Sequence, residues 1–282
     1  MRPALLALVV LLAGCSGGFA ADPTPSTTVT PAPLPATTPT AAPNGYPPGM
    51  DAGGVTDAAR VAHAHAETLD GRSFTVTRVE VRRDPDGTLR ERYERTVHVA
   101  ADPYRFAYRL VSFDADTTPV NRTDERWSGG TRAFASVTRG DERTVSETSV
   151  RLLPENATNE QGLARLFSLL DARLVGEEIR NGTRLYRVAA GPGASVPPSI
   201  SDASLEAVID ARGVVRAYDL SYAIDRGDDR LRVEVRVRFT AVGSTTVPRP
   251  EWVPDEGGET SDTPGTGVTD EPRERWFRRF AR

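Results

Sequence analysis

Three histidines, one cysteine and no lysine are the entire supply of imidazole, thiol and amine side chains in these 282 residues. His63 and His65 are two apart on an expected helix, so they diverge and cannot share a metal as an i, i+4 pair can. His98 falls on the polar parity of an expected strand. A surface position is the expectation for all three. Without lysine there is no phosphate-loop lysine and no Schiff base, and neither a Gly-x-Ser-x-Gly elbow nor a His-Glu-x-x-His motif occurs. The acidic pairs Glu177-Glu178 and Asp228-Asp229 lie near turns and read as solvated charge rather than as a calcium site. The sequence therefore predicts a protein that is not an enzyme and that needs no cofactor and no metal.

Two kinds of modification have better signals. Asn121, Asn156 and Asn181 each begin an Asn-x-Thr sequon in an expected loop or turn, where an N-glycan can be accommodated. Cys15 follows Arg2, an apolar run from Ala4 to Leu12, and small residues, the parts of an export signal. That run is about half the ~20 residues that span a bilayer. Leu12-Ala13-Gly14-Cys15 resembles the lipobox of exported lipoproteins. The resemblance implies cleavage after Gly14 and lipidation of the Cys15 sulfur, with stable anchoring at the extracellular face of the cell membrane, since each buried methylene contributes roughly 0.8 kcal/mol.

Composition agrees with an exported globular protein. Charged residues make up 26% and hydrophobic ones 38%, too polar for a membrane-embedded chain. The net charge of −4 supplies no field for nucleic acid. All 35 basic residues are arginine, and this composition resembles that of haloarchaeal proteins.

The elements that must position any site begin after a Thr/Pro-rich stretch. Residues 15–54 have too few large apolar side chains to form a core and read as a disordered stalk. The folded domain is expected over 55–247, and 248–282 reads as a disordered linker and tail. Val55, Ala59, Ala62, Ala66 and Leu69 recur at helical spacing, with Gly71 placed to stop the helix. In "SFTVTRVEVRR" the apolar parity changes between Val76 and Val79, which predicts a bulge or bend. "TLRERYERTVHVA" alternates as its hairpin partner across Pro85-Asp86-Gly87. Thr158 and Gln161 fit a capping box ahead of the stripe Leu163, Leu166, Phe167 and Leu170. Asn181-Gly182 marks a two-residue hairpin, and Leu231 to Ala241 alternate without a break.

The expected fold is α+β and mostly antiparallel β: one large curved sheet, an unclosed β-barrel of about ten strands, with two helices on its concave face. Two short helices cannot cover ten strands, so an apolar cavity is expected. Phe106, Tyr108, Trp127, Phe134, Leu163 and Phe167 are its candidate lining, with core packing as the alternative.

"LEAVIDARGVVRAYDLSY", with Val208, Ile209, Asp210, Gly213 and Val214, resembles the bacterial lipoprotein-carrier fold and the related mycobacterial lipid-binding lipoproteins. The lipobox, stalk and Pro250-Glu251-Trp252 together resemble a haloarchaeal lipoprotein family of unknown function. The resemblance implies an unclosed barrel that holds acyl chains between sheet and helices. A ligand-free structural or protein-interaction module of the cell envelope is the alternative. In the tail, residues 273–282 carry five arginines and one acid. Trp276, Phe277, Arg278, Arg279 and Phe280 make this end a candidate membrane contact.

Overall fold

The computed structural model describes residues 45–115, 121–150, 157–191, 196–226 and 229–255. Cys15, Asn156 and the Trp276–Phe280 cluster lie outside the described residues. In chain order the elements are β1 (Met50–Asp51), β2 (Gly54–Val55), α1 (Ala58–Leu69), β3 (Phe74–Arg83), β4 (Leu89–Val99), β5 (Arg105–Asp114), β6 (Arg122–Gly129), β7 (Ala133–Arg139) and β8 (Glu142–Thr148). There follow α2 (Glu160–Leu169), β9 (Arg173–Arg180), β10 (Thr183–Ala190), β11 (Ile200–Asp210), β12 (Val215–Arg226) and β13 (Asp229–Thr240).

All the strands join one antiparallel, unclosed sheet in the order β1-β2-β9-β10-β11-β12-β13-β3-β4-β5-β6-β7-β8. The mostly antiparallel class and the two helices are as the sequence predicts. The strand count is 13 rather than about ten; β1 lies within the expected stalk and β2 straddles its end. Residues 45–54 are part of the fold: Met50 is buried, and Tyr46 packs its ring 5.5 Å from that of Tyr186. Gly54 makes this possible. A Cβ there would stand 2.3 Å from the Ala172 carbonyl, at a φ of +128° that L side chains avoid.

Both helices contribute to a core whose strand side chains lie on one face of the sheet, here the inner face. On β13 the inward residues are Leu231, Val233, Val235, Val237 and Phe239, all buried. Each such aliphatic side chain contributes about 1.5–3 kcal/mol when removed from water. Leu163 and Phe167 of α2 and Val61, Ala62 and Leu69 of α1 meet Val233, Val235, Val237 and Phe239 in the same cluster. That cluster takes Phe74 and Val76 from β3 and Val97 and Val99 from β4, but no residue of β6, β7 or β8.

The buried stripe of α1 is rotated from the one expected. It runs through Val61, Ala62, Ala64, His65, Thr68 and Leu69, while Ala59 is exposed. His65 is therefore in the core and not on the surface. Its Nε2 donates to the Thr158 carbonyl at 2.9 Å, and its Nδ1 accepts the Val215 amide at 3.0 Å. The ring packs edge-on to Phe239 at 4.6 Å. Burial overrides the Thr158 contact and pushes its pKa down to about 4, so the neutral ring is the native form. His63 is exposed beside Glu160, and His98 is half-buried, with its pKa lowered by burial.

The α2 start also differs. The N-cap is Asn159, in the left-handed conformation at φ 58°, and its side chain caps nothing. The Thr158–Gln161 box does not form because the N-cap falls one residue later, at Asn159; the Thr158 carbonyl accepts from His65, and the Asn159 side-chain Nδ2 donates to the Tyr218 hydroxyl at 3.2 Å.

Residues 241–255, expected in part as linker, form an ordered strap on the outer face. Thr245 bonds Thr75 through their hydroxyls at 2.9 Å, Val253 is buried, and the Arg249 guanidinium stands 5.9 Å from the Trp127 ring.

Candidate functional site

β3 pairs in unbroken register with β4 from Phe74 to Arg82 and with β13 from Thr75 to Arg83, so the expected bulge between Val76 and Val79 is absent. The parity change has another cause. Arg78, Glu80 and Arg82 follow Phe74 and Val76 onto the inner face, and Val79 and Val81 point outward. Across β4 their register partners are Arg95, Tyr93 and Glu91, which share that face.

This places a charged network inside the fold. Glu80 is 1% exposed and accepts from Arg78 Nη2 at 2.9 Å and from Arg82 Nε and Nη2 at 3.0 and 2.9 Å. Arg82 Nη1 reaches Glu91 at 2.6 Å, and the Tyr93 hydroxyl donates to Glu91 at 3.1 Å. Burial, with the Glu91 charge beside it, pushes the Tyr93 pKa up to about 12. Pairing is what makes the burial tolerable, since a lone buried charge costs several kcal/mol.

Arg95 stands apart. Its Nε is enclosed with no hydrogen-bond partner, and no carboxylate among the described residues pairs with it. Burial, then the neighbouring Arg78, lower its pKa from the ordinary arginine value. In register next to it are Leu110 on β5 and, one pair along, Val97 with Tyr108. Continuing the face across β6 and β7 brings Asp124 and Arg126, then Val137 and Ala135, all half-buried. The wall is thus apolar and covered at one end, and half-buried with arginine, tyrosine and aliphatic side chains where the helices stop. Such a surface combines apolar side chains with cationic ones. Among the described residues no group of three or more His, Cys, Asp or Glu can hold a metal ion.

The six candidate lining residues separate into three places. Leu163 and Phe167 are buried in the core under α2. Phe106 and Tyr108 face inward, opposite Val99 and Val97. Trp127 and Phe134 pair with each other, and Trp127 also pairs with Ala107, so both lie on the outer face. There their rings stack at 6.5 Å, Trp127 beneath Arg249 of the strap and Phe134 beneath Arg132. They do not line an inner cavity with the other four. The register of β6, which no single strand reveals, decides their side. A depression of about 260 Å³ is lined by Asp171, Arg173, Ala189, Ala190 and Gly191 and includes none of the six.

Of the sequons, Asn121 and Asn181 are exposed, and Asn181 occupies the β9–β10 turn at φ 49°. Glu177 pairs with Arg184 at 3.0 Å and Glu178 with Arg180 at 3.2 Å, which leaves no two-carboxylate cation site there. The inward charges left a trace in the sequence: Glu91 and Arg95 share the parity of Tyr93 and Val97. Asp210 of the Ile-Asp motif is fully buried. It accepts the Arg212 and Val214 amides at 2.9 and 3.0 Å and pairs with Arg216 at 2.7 Å. It shapes the β11–β12 turn on which α1 rests, where Gly213 approaches Ala64 too closely for a side chain.

A family model described as "Family of unknown function (DUF7537)" matches residues 2–256. No curated protein matches the sequence. Among solved structures, a LolA superfamily protein from Nitrosomonas europaea is similar at 10% identity and a TM-score of 0.23, covering 68% of this chain and 95% of its own. The MucA/MucB complex of Pseudomonas aeruginosa is similar at 19% identity and a TM-score of 0.27, covering 70% and 67%. A DUF1329 family protein from Desulfovibrio piger is similar at 11% identity and a TM-score of 0.23, covering 68% and 93%. At such identities and scores, no ligand or partner carries over to this chain.

Proposed function

The chain belongs to the DUF7537 family of unknown function, and we propose that it is a binding protein that holds a lipid or other apolar ligand non-covalently against the inner wall of its open sheet. The observation that supports this is the end of the core cluster at about β5, where Tyr108 and Leu110, and beyond it Ala135 and Val137, remain half-buried on the inner face. Ligand capture there removes apolar surface from water and makes or breaks no bond, so the protein is not an enzyme in this reading. Titration of the full chain with a fluorescent fatty acid tests it. Saturable binding with a Kd in the micromolar range or tighter is expected, and Leu110→Asp should weaken it at least tenfold. No uptake by the folded wild-type chain would end this reading.

The chain is, in the same proposal, a haloarchaeal surface lipoprotein held by Cys15, a reading that rests on Leu12-Ala13-Gly14-Cys15 and on the lysine-free composition. Cys15→Ser should move the protein from the membrane fraction to the soluble or precursor fraction. Unchanged membrane retention of a processed chain would refute the anchor.

One observation favours an envelope interaction module instead. β9 pairs with β2 only at Gly54↔Arg173, and beyond it Val175 and Ile179 are 61% and 71% exposed. Such an edge suits addition of a partner strand. Failure of lipid uptake together with loss of a co-purifying envelope protein in Val175→Lys/Ile179→Lys would favour that module.

A further inference from the structure

We propose that the ligand is an anionic amphiphile and that Arg95 is the residue that receives its head group. This rests on the binding reading above and adds the chemical class of the ligand.

Every other inward charge of β3 and β4 has a partner inside the fold. Glu80 serves Arg78 and Arg82, and Glu91 serves Arg82 and Tyr93. On the neighbouring strand Asp124 is held by Arg122 at 2.7 Å. Arg95 has no such acid among the described residues, and its Nε is enclosed without an acceptor. A guanidinium stays charged even when burial opposes it, so it cannot escape the cost by losing its proton. A protein that holds such a group loses stability unless an anion meets it, and a fork of N–H donors is shaped for a carboxylate or phosphate.

The surroundings fix the rest of the ligand. Arg95 sits at the boundary of the apolar wall, register-paired with Leu110 and adjacent on β4 to Val97, which pairs with Tyr108. Farther across the sheet the same face shows Val137 and Ala135. An acyl or prenyl chain lying over these side chains would start where its head meets Arg95. The second arginine, Arg78, lies directly opposite on β3 and reinforces the positive potential while remaining bonded to Glu80. A small anion alone would leave the half-buried aliphatic strip without a role. A neutral lipid would leave Arg95 without one.

The test compares cis-parinaric acid with its methyl ester, using the full chain. The expected result is at least tenfold tighter binding of the acid. Arg95→Met should abolish that preference with ester affinity unchanged, and Arg95→Lys should retain part of it. Because the methionine variant removes a half-buried cation whose Nε has no acceptor and keeps most of the volume, its Tm should not fall, so failure to fold does not obscure the readout. Equal binding of acid and ester, or an acid preference that survives Arg95→Met, would overturn this proposal and leave the apolar-binding reading intact. Competition by millimolar acetate or inorganic phosphate as effective as that by laurate would show a free anion as the ligand and overturn the amphiphile assignment. Binding of neither probe would remove the underlying reading and this proposal with it.

Discussion

Glu80→Gln is expected to cost about 3–5 kcal/mol of folding stability, the range for breaking a buried ion pair by removing one partner. The carboxylate is 1% exposed and bonds two guanidiniums. Gln keeps the shape and one acceptor oxygen but removes the negative charge, so Arg78 and Arg82 remain as buried cations with only Glu91 nearby. Arg95, already without an acid, then adds to an uncompensated positive cluster. Glu94→Gln is the matched control. Glu94 pairs with Arg92 on the outer face of the same hairpin, where both side chains are over 40% exposed, and loss of such a pair costs about 0–1 kcal/mol. Urea denaturation of the two variants measures the difference. A Glu80→Gln loss as small as that of Glu94→Gln would mean that the inner network is solvated.

The second large effect is a fall in stability on acidification that belongs to His65. The native ring is neutral and titrates at about 4, below its ordinary 6.5. Above pH 6.5 neither state binds the proton, and the histidine adds no pH dependence. Between 6.5 and 4 the unfolded chain takes up a proton that the native protein refuses, so stability falls as pH falls. Below 4 both states are protonated and the loss levels off. The gap corresponds to about 3 kcal/mol. Protonation also turns Nδ1 from the acceptor of the Val215 amide into a donor facing it, which disrupts the junction between α1 and β12. His65→Gln should be less stable than wild type at pH 7, by about 1–3 kcal/mol for the damaged buried hydrogen bonds. It should lose the part of the pH 7 to pH 4.5 decline that the imidazole causes. Identical declines in the two proteins would assign the acid sensitivity to the carboxylates alone.

Both effects concern residues that sequence periodicity treated as exposed or explained away. The parity change at Val76–Val79 was visible, but a bulge accounts for it as well as a row of inward charges does. Only the unbroken pairing of β3 with both neighbours separates the two. His65 lay close to the apolar stripe of α1, and a rotation of the helix by less than one residue's turn decided its burial.

By itself, the sequence determined the elements that depend on neighbours along the chain. Alternation produced the strands, most plainly β13. Asn181-Gly182 and Gly71, with their left-handed backbones, marked a hairpin and a helix end. The mostly antiparallel class followed, because period and turn chemistry are local properties. Tertiary structure alone decided which polar residues face inward and which aromatics do not. A buried charge is tolerable only when a partner shares its face, as Arg82 does with Glu80 and Arg216 with Asp210. On the outer face Trp127 lies beneath Arg249 of the strap and Phe134 beneath Arg132. The strand pairings and the strap that set these faces join segments far apart in sequence, and no short window of residues contains them.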